Sequence, residues 1–136
     1  RIENDNVSVF LSDVTEFEAE ENTYDVVFIS GVTLYLNDDK LKTLMEKITY
    51  YLKPCGLFIH RDAYGIYERF LLDKKKSENL KLDYSAVYRS RIEYDEIFVK
   101  SFGFEKLLDE DMYPEESGHN KRRETKLRIA IYKNSL

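Results

Sequence analysis

The sequence predicts an α/β fold in which parallel strands are linked by a helix and an antiparallel hairpin closes the sheet. Three observations carry this. The run Tyr24-Asp-Val-Val-Phe-Ile-Ser30 is apolar without strict alternation, the mark of a strand covered on both faces. An amphipathic stretch follows and stops at Lys53-Pro54, and Leu57-Phe-Ile59 then reads as a second buried strand, so the three segments make one βαβ unit. Near the carboxyl terminus two strand-like segments are joined by a polar loop with no helix between them, which requires antiparallel pairing.

Taken in order, residues 7–12 are a short β-like run that stops at Asp13, and the acidic residues 15–23 are a loop. Residues 26–29 are the first buried strand. Asn37 or Asp38 caps the next helix, whose apolar stripe is Leu41, Leu44, Met45, Ile48 and Leu52. Pro54 ends that helix, Gly56 permits the turn, and residues 57–59 form the next strand. Residues 60–89 read as an irregular insert rich in tyrosine and charge, with a short helix over 66–72. Ser90-Arg-Ile-Glu93 has the pattern of a capping box, Ile92, Ile97 and Phe98 continue an apolar face, and Gly103 closes that helix. Residues 104–112 are a strand, 114–124 a polar loop, and Leu127, Ile129 and Ile131 alternate with polar positions as in a final strand.

A chain of 136 residues with 43% hydrophobic and 35% charged side chains is one globular domain with its own core. A net charge of −5 disfavours a nonspecific nucleic-acid binder, and the basic runs Lys74–Lys76 and Lys121–Arg123 read as solvated faces. The single cysteine, Cys55, suits a reducing compartment, so a cytoplasmic location is expected. Two histidines and no CxxC give no zinc pattern, and no apolar run approaches a membrane-spanning length. The opening Arg-Ile-Glu-Asn-Asp-Asn has no initiator Met and reads as part of a longer protein.

Several residues carry chemistry. Asp13 stands just past a strand end, where its carboxylate can accept from a ligand amine while the Val14 N–H donates to a ring nitrogen; the other reading is a loop-starting Asp that caps nearby amides. Ser30 and Gly31 end the next strand with small residues that let a ligand approach the backbone. His60 is either a general base or a satisfied strand histidine. Arg61 and Asp62, adjacent charges at a strand end, face substrate, because they need water or a partner. Tyr64, Tyr67, Tyr84, Tyr88 and Arg89 suit either a substrate lid or an amphipathic cover over the sheet edge. Cys55 has no histidine near it in sequence and is not read as a nucleophile.

With Asp13-Val14, Tyr24-Asp25, Ser30-Gly31 and Leu52-Lys-Pro-Cys-Gly56 in this order, the chain from Asn6 to Lys133 resembles the carboxyl-terminal part of a class I S-adenosylmethionine-dependent methyltransferase. The resemblance implies a truncated Rossmann-like three-layer fold, S-adenosylmethionine as cofactor and a small polar acceptor, a sugar or related metabolite. It implies adenine recognition by Asp13 and Val14, methionine contact at Ser30 and Gly31, and a wall between cofactor and acceptor from Val32, Leu34 and Tyr35. Cys55 stands where the family carries glycine. No G-x-G occurs among the five glycines, so the family's Gly-rich loop and ribose-binding acid are expected upstream of Arg1. The 136 residues alone are then expected to be inactive, with an apolar strand edge at 26–29 that either residues 7–12 or a second copy covers, the latter giving a homodimer. A noncatalytic interaction module of the same fold is the alternative, and a nicotinamide-dependent oxidoreductase is disfavoured by the terminal hairpin.

Overall fold

Strands β1 (Tyr24–Ser30) and β2 (Leu52–Gly65) lie side by side in parallel, joined by helix α1 (Asp38–Tyr51), as the βαβ reading requires. The computed structural model describes residues 5–72, 86–118 and 123–135. Beyond β2 come two short paired strands, β3 (Phe70–Leu72) and β4 (Ala86–Tyr88), then helix α2 (Arg91–Asp95) and the antiparallel pair β5 (Glu105–Asp111) and β6 (Thr125–Lys133). The main sheet has the order β1-β2-β6-β5, with β6 antiparallel to both of its neighbours.

Local chemistry sets the helix ends. Asn37 caps α1, its Oδ1 accepting from the Lys40 N–H at 2.8 Å, and Asp38 and Asp39 complement the helix dipole in the first turn. Leu41, Leu44, Met45 and Ile48 are buried on the expected stripe, and Leu52 begins β2 with no exposure. Ser90 and Glu93 form the expected capping box on α2, at 3.2 and 3.4 Å. The helix widens into π-type turns over Glu96–Ser101, and Gly103, at φ +75°, closes it by donating to the Val99 carbonyl. Its buried face is Tyr94 and Phe98, four residues apart. Ile92, expected on that face, is 67% exposed.

The core forms where α1 and α2 meet one face of the sheet. Phe58 of β2 packs against Phe98 at 5.2 Å and against Tyr132 at 5.8 Å between ring centroids, and Phe104, Ala130 and Ile29 complete the cluster. In β1, Val27 and Ile29 point to this face. Val26 and Phe28 point to the other and are 48% and 55% exposed, beside their register partners Leu57 and Ile59. Among the described residues no helix covers that second face, so these residues supply two of the three layers the fold implies.

Three expectations change. Residues 8–13 form no strand, and Val9 and Leu11 are exposed, because a β-run without a partner gains no ladder hydrogen bonds. Residues 66–72 are not a helix: the chain bends after Gly65 and residues 70–72 pair with β4, so tertiary pairing outweighs local propensity. The insert is more regular than expected at both ends, since β2 runs on to Gly65 and β3–β4 forms a small sheet.

The turn before residue 57 also differs in detail. It is an excursion within β2, where the partners of Tyr24 and Val26 are Leu52 and Leu57. Cys55, not Gly56, holds the left-handed conformation, at φ +63°. Gly56 is required for space, because a Cβ there would lie 2.8 Å from Leu52 Cδ1 and 2.9 Å from the Lys53 carbonyl oxygen. The two substitutions are therefore expected to differ in sign. Cys55→Gly relieves a strained backbone and should leave stability unchanged or raise it by roughly 0.5 kcal/mol, after the larger unfolded-state entropy of glycine. Gly56→Ala should lower it by about 1–3 kcal/mol. Denaturant unfolding of both variants checks this, and equal effects would contradict these turn roles.

Candidate cofactor and acceptor site

The carboxyl end of β1, at Ser30 and Gly31, lies beside Arg61 of β2. The Gly31 N–H donates to the Arg61 carbonyl at 3.0 Å, and Arg61 Nη1 donates to Ser30 Oγ at 3.2 Å. Gly31 is left-handed at φ +68°, and a Cβ built on it meets nothing within 4 Å, so the backbone there faces open space. Ser30 is exposed and Tyr35 is 56% exposed. Asp13 is exposed, and its Oδ1 accepts from the Thr15 N–H at 2.8 Å and the Thr15 hydroxyl at 2.6 Å. Those bonds hold the carboxyl below its ordinary range and keep it an acceptor at neutral pH. Val14 is half-buried and packs against the main core, which fixes the loop carrying Asp13.

Behind this open rim lies a buried polar network. A short 3-10 turn (Thr33–Tyr35) follows Gly31. Thr33 Oγ1 lies 2.6 Å from Asp62 Oδ2, 2.8 Å from His60 Nε2 and 2.9 Å from the Tyr94 hydroxyl. Asp62 also accepts from the N–H groups of Leu34 and Ala63, at 3.3 and 2.9 Å. His60 Nδ1 meets the Tyr64 hydroxyl at 2.6 Å. Arg89, with no exposed surface, donates to the Thr33 and Leu36 carbonyls at 3.0 and 2.8 Å and to Asp38 at 2.8 Å. Arg69 also reaches Asp38, and the hydrogen bond from Arg89 is the largest cause of the lowered Asp38 pKa.

This burial revises the acceptor-side reading. Asp62, Tyr64, Tyr88 and Arg89 are buried, at 1%, 1%, 6% and 0% exposure, and they hold the protein together instead of facing solvent. Tyr88 packs on Phe70, and Leu34 joins them in a small apolar cluster with Ala86. Burial pushes the Asp62 carboxyl up, which its hydrogen bonds partly oppose. His60 is fully buried among Phe58, Tyr94 and Phe98, its pKa pushed down to about 3 by desolvation and then by Arg89. With both ring nitrogens engaged and no opening to solvent, it is the satisfied strand histidine and not a poised base. Arg61 remains at the rim, where its Nε also contacts Met112 Sδ at 2.9 Å. Tyr84, His119, the Lys74–Lys76 run, and Lys121 and Arg122 of the second basic run lie outside the described residues.

The sequence reading missed Thr33 and Tyr94. Thr33 sits between Val32 and Leu34 with no local sign of its role. Its partners lie 27, 29 and 61 residues away.

A parallel βαβ unit with a glycine opening at the carboxyl end of its first strand, continued into an antiparallel β6–β5 edge, has the layout of a truncated class I S-adenosylmethionine-dependent methyltransferase fold. Solved structures show it. The chain superposes on 1,6-didemethyltoxoflavin N1-methyltransferase of Burkholderia thailandensis, which holds 1,6-didemethyltoxoflavin and S-adenosylhomocysteine, with a TM-score of 0.71 at 14% identity over 92% of this chain and 49% of that one. It superposes on an S-adenosylmethionine-dependent methyltransferase of Mesorhizobium loti with a TM-score of 0.65 at 14% identity, over 90% of this chain and 67% of that one. A stretch of 60 residues, 43% of the chain, is 36% identical to phosphoethanolamine N-methyltransferase 1 of Triticum aestivum. The chain spans about half of the Burkholderia protein and 12% of the wheat one. No protein-family sequence profile matches it.

His60 makes stability depend on pH. Its native pKa of about 3 lies below the ordinary 6.5, so below pH 6.5 the unfolded chain binds the extra proton. Its contribution is complete above pH 6.5 and is lost as pH falls toward 3. Asp62, raised, acts with the opposite sign above the ordinary carboxylate value, and the lowered Asp13, Asp38 and Asp109 act below it. The interval from pH 6.5 to 4.5 therefore reports mainly on the histidine. Unfolding free energy should fall by roughly 2–3 kcal/mol between pH 7 and 4.5. In His60→Gln the slope should flatten, and an unchanged slope would count against a buried neutral His60.

Proposed function

We propose that this chain is the cofactor- and acceptor-facing part of an S-adenosylmethionine-dependent methyltransferase that acts on a small polar molecule, a sugar or related metabolite. The observation that carries this is the open glycine at Gly31, beside the exposed Ser30, at the carboxyl end of β1. Asp13 and Val14 would take adenine, Ser30 and Gly31 the methionine end, and Tyr35 and Arg61 the acceptor side. Bound S-adenosylmethionine supplies an electrophilic methyl group. The chain's residues hold and orient: Asp13 accepts from an amine, Gly31 leaves the backbone bare, and the buried network fixes the loop that follows Gly31. Two of the relatives named above act on small molecules, 1,6-didemethyltoxoflavin and phosphoethanolamine by their names, and this supports the same class of acceptor. The single cysteine supports the proposed cytoplasmic location.

In calorimetry on the full-length protein, Asp13→Ala should weaken S-adenosylmethionine binding by roughly tenfold, as expected on losing one charge-assisted hydrogen bond. Unchanged affinity would remove Asp13 from the site.

We further infer that the 136-residue chain by itself is an inactive homodimer. β1 is an edge strand, Val26 and Phe28 expose apolar surface beside it, and residues 8–13 do not cover that edge. Light scattering at micromolar concentration should give twice the monomer mass, and Phe28→Lys should return it to one. A monomer that still transfers methyl groups would contradict both parts.

A further inference from the structure

The Thr33 hydroxyl has one hydrogen and two lone pairs, and it has three partners. An ionised Asp62 can only accept, so the Thr33 hydrogen goes to Asp62 Oδ2. The remaining two partners must then donate: His60 through Nε2–H and Tyr94 through its hydroxyl. His60 Nδ1 is left as an acceptor, and the Tyr64 hydroxyl at 2.6 Å donates to it. Every hydrogen-bonding position of this hydroxyl is filled, in a residue with no exposed surface, two positions from the bare Gly31.

The partners come from separate parts of the chain. His60 and Asp62 belong to β2, beneath the loop, and Tyr94 belongs to α2, beyond the insert. Arg89, at the joint of β4 and α2, holds the same loop by two carbonyls, those of Thr33 and Leu36. Leu34 in turn fills the apolar cluster of the β3–β4 sheet with Ala86 and Tyr88. The loop that begins at Gly31 is thus fastened to the sheet on one side and to the insert on the other, and Thr33 is the residue where both fastenings meet.

We propose that Thr33 is a positioning residue that sets the Gly31 loop against the cofactor and ties it to the acceptor-side insert. This rests on the methyltransferase reading above. Thr33→Val keeps the side-chain shape and removes the hydroxyl, leaving Asp62 short of a donor and His60 and Tyr94 short of an acceptor. Thr33→Ser keeps the hydroxyl.

The test is calorimetric binding of S-adenosylmethionine to the full-length protein, with nitrogen-15 NMR of the His60 ring. The wild type should show a neutral Nε2–H ring from pH 8 to pH 5. Thr33→Val should bind the cofactor roughly tenfold more weakly and lose that ring signature, and Thr33→Ser should restore both to within about threefold of wild type. A purely structural role would lower the melting temperature of Thr33→Val and leave the affinity of the folded fraction unchanged, and that outcome overturns the proposal. Should Thr33→Val fail to fold, Tyr94→Phe removes one donor and keeps the ring. Weaker cofactor binding with an unshifted melting temperature then supports the proposal, and unchanged binding overturns it. A wild-type protein that binds no S-adenosylmethionine overturns the methyltransferase reading and this proposal together. Wild-type binding that Thr33→Val leaves intact overturns this proposal alone.

Discussion

The structure depends on a buried arginine. Arg89 has no exposed surface, and a guanidinium taken out of water is tolerated only when its donors are filled. Two of its bonds go to backbone carbonyls of the loop after β1, and others go to Asp38 in the first turn of α1. Asp38 is itself 58% exposed on its side chain, so the charge is compensated from the protein surface inward. The start of α1, the loop before it and the end of the insert thereby become one unit. Removing the arginine would leave three elements without a common partner, and removing Asp38 would leave a buried charge half satisfied.

The second charge in this region is Asp62, and it has no direct bond to Arg89 among the hydrogen bonds described above. Thr33 and Tyr94 lie between them. A carboxylate and a guanidinium held apart by hydroxyl groups still attract through a low-dielectric interior, and both act on the Tyr94 hydroxyl, whose pKa burial pushes up to about 12. His60 stays neutral in this setting because burial disfavours its charged form, and the nearby Arg89 adds to that. The histidine that looked like chemistry from its place at a strand end is therefore part of the support beneath the loop, while Ser30 and Gly31 stand open at the end of β1.

The sheet itself is asymmetric. One face is closed by α1 and α2 over an aromatic core. On the other face the register places Val26 beside Leu57, and Phe28 beside Ile59 and Ile131. These apolar residues gain little where they stand, since the hydrophobic effect rewards only surface removed from water. That face and the free edge of β1 are the parts of the molecule whose sequence is committed to burial that the described residues do not provide.

By itself the sequence determined the elements whose signals are local. The α1 stripe, the Asn37 cap, the Ser90–Glu93 capping box, the left-handed Gly103 and the alternation of Leu127, Ile129 and Ile131 each follow from spacings of four residues or fewer, and each is in the structure. The open Ser30–Gly31 end was legible for the same reason, because small residues after a buried strand need no distant partner to be read. Only the tertiary structure decided the rest. Residues 8–12 had strand-like composition but form no strand, and residues 66–72 had helical spacing but found β4. His60, Asp62 and Arg89 were visible as charged or titratable residues, yet whether they face solvent or one another depends on Thr33 and Tyr94, which lie 61 residues apart along the chain and carry no local mark. A hydroxyl's role is set by which donors and acceptors surround it in space, and no spacing along the chain encodes that.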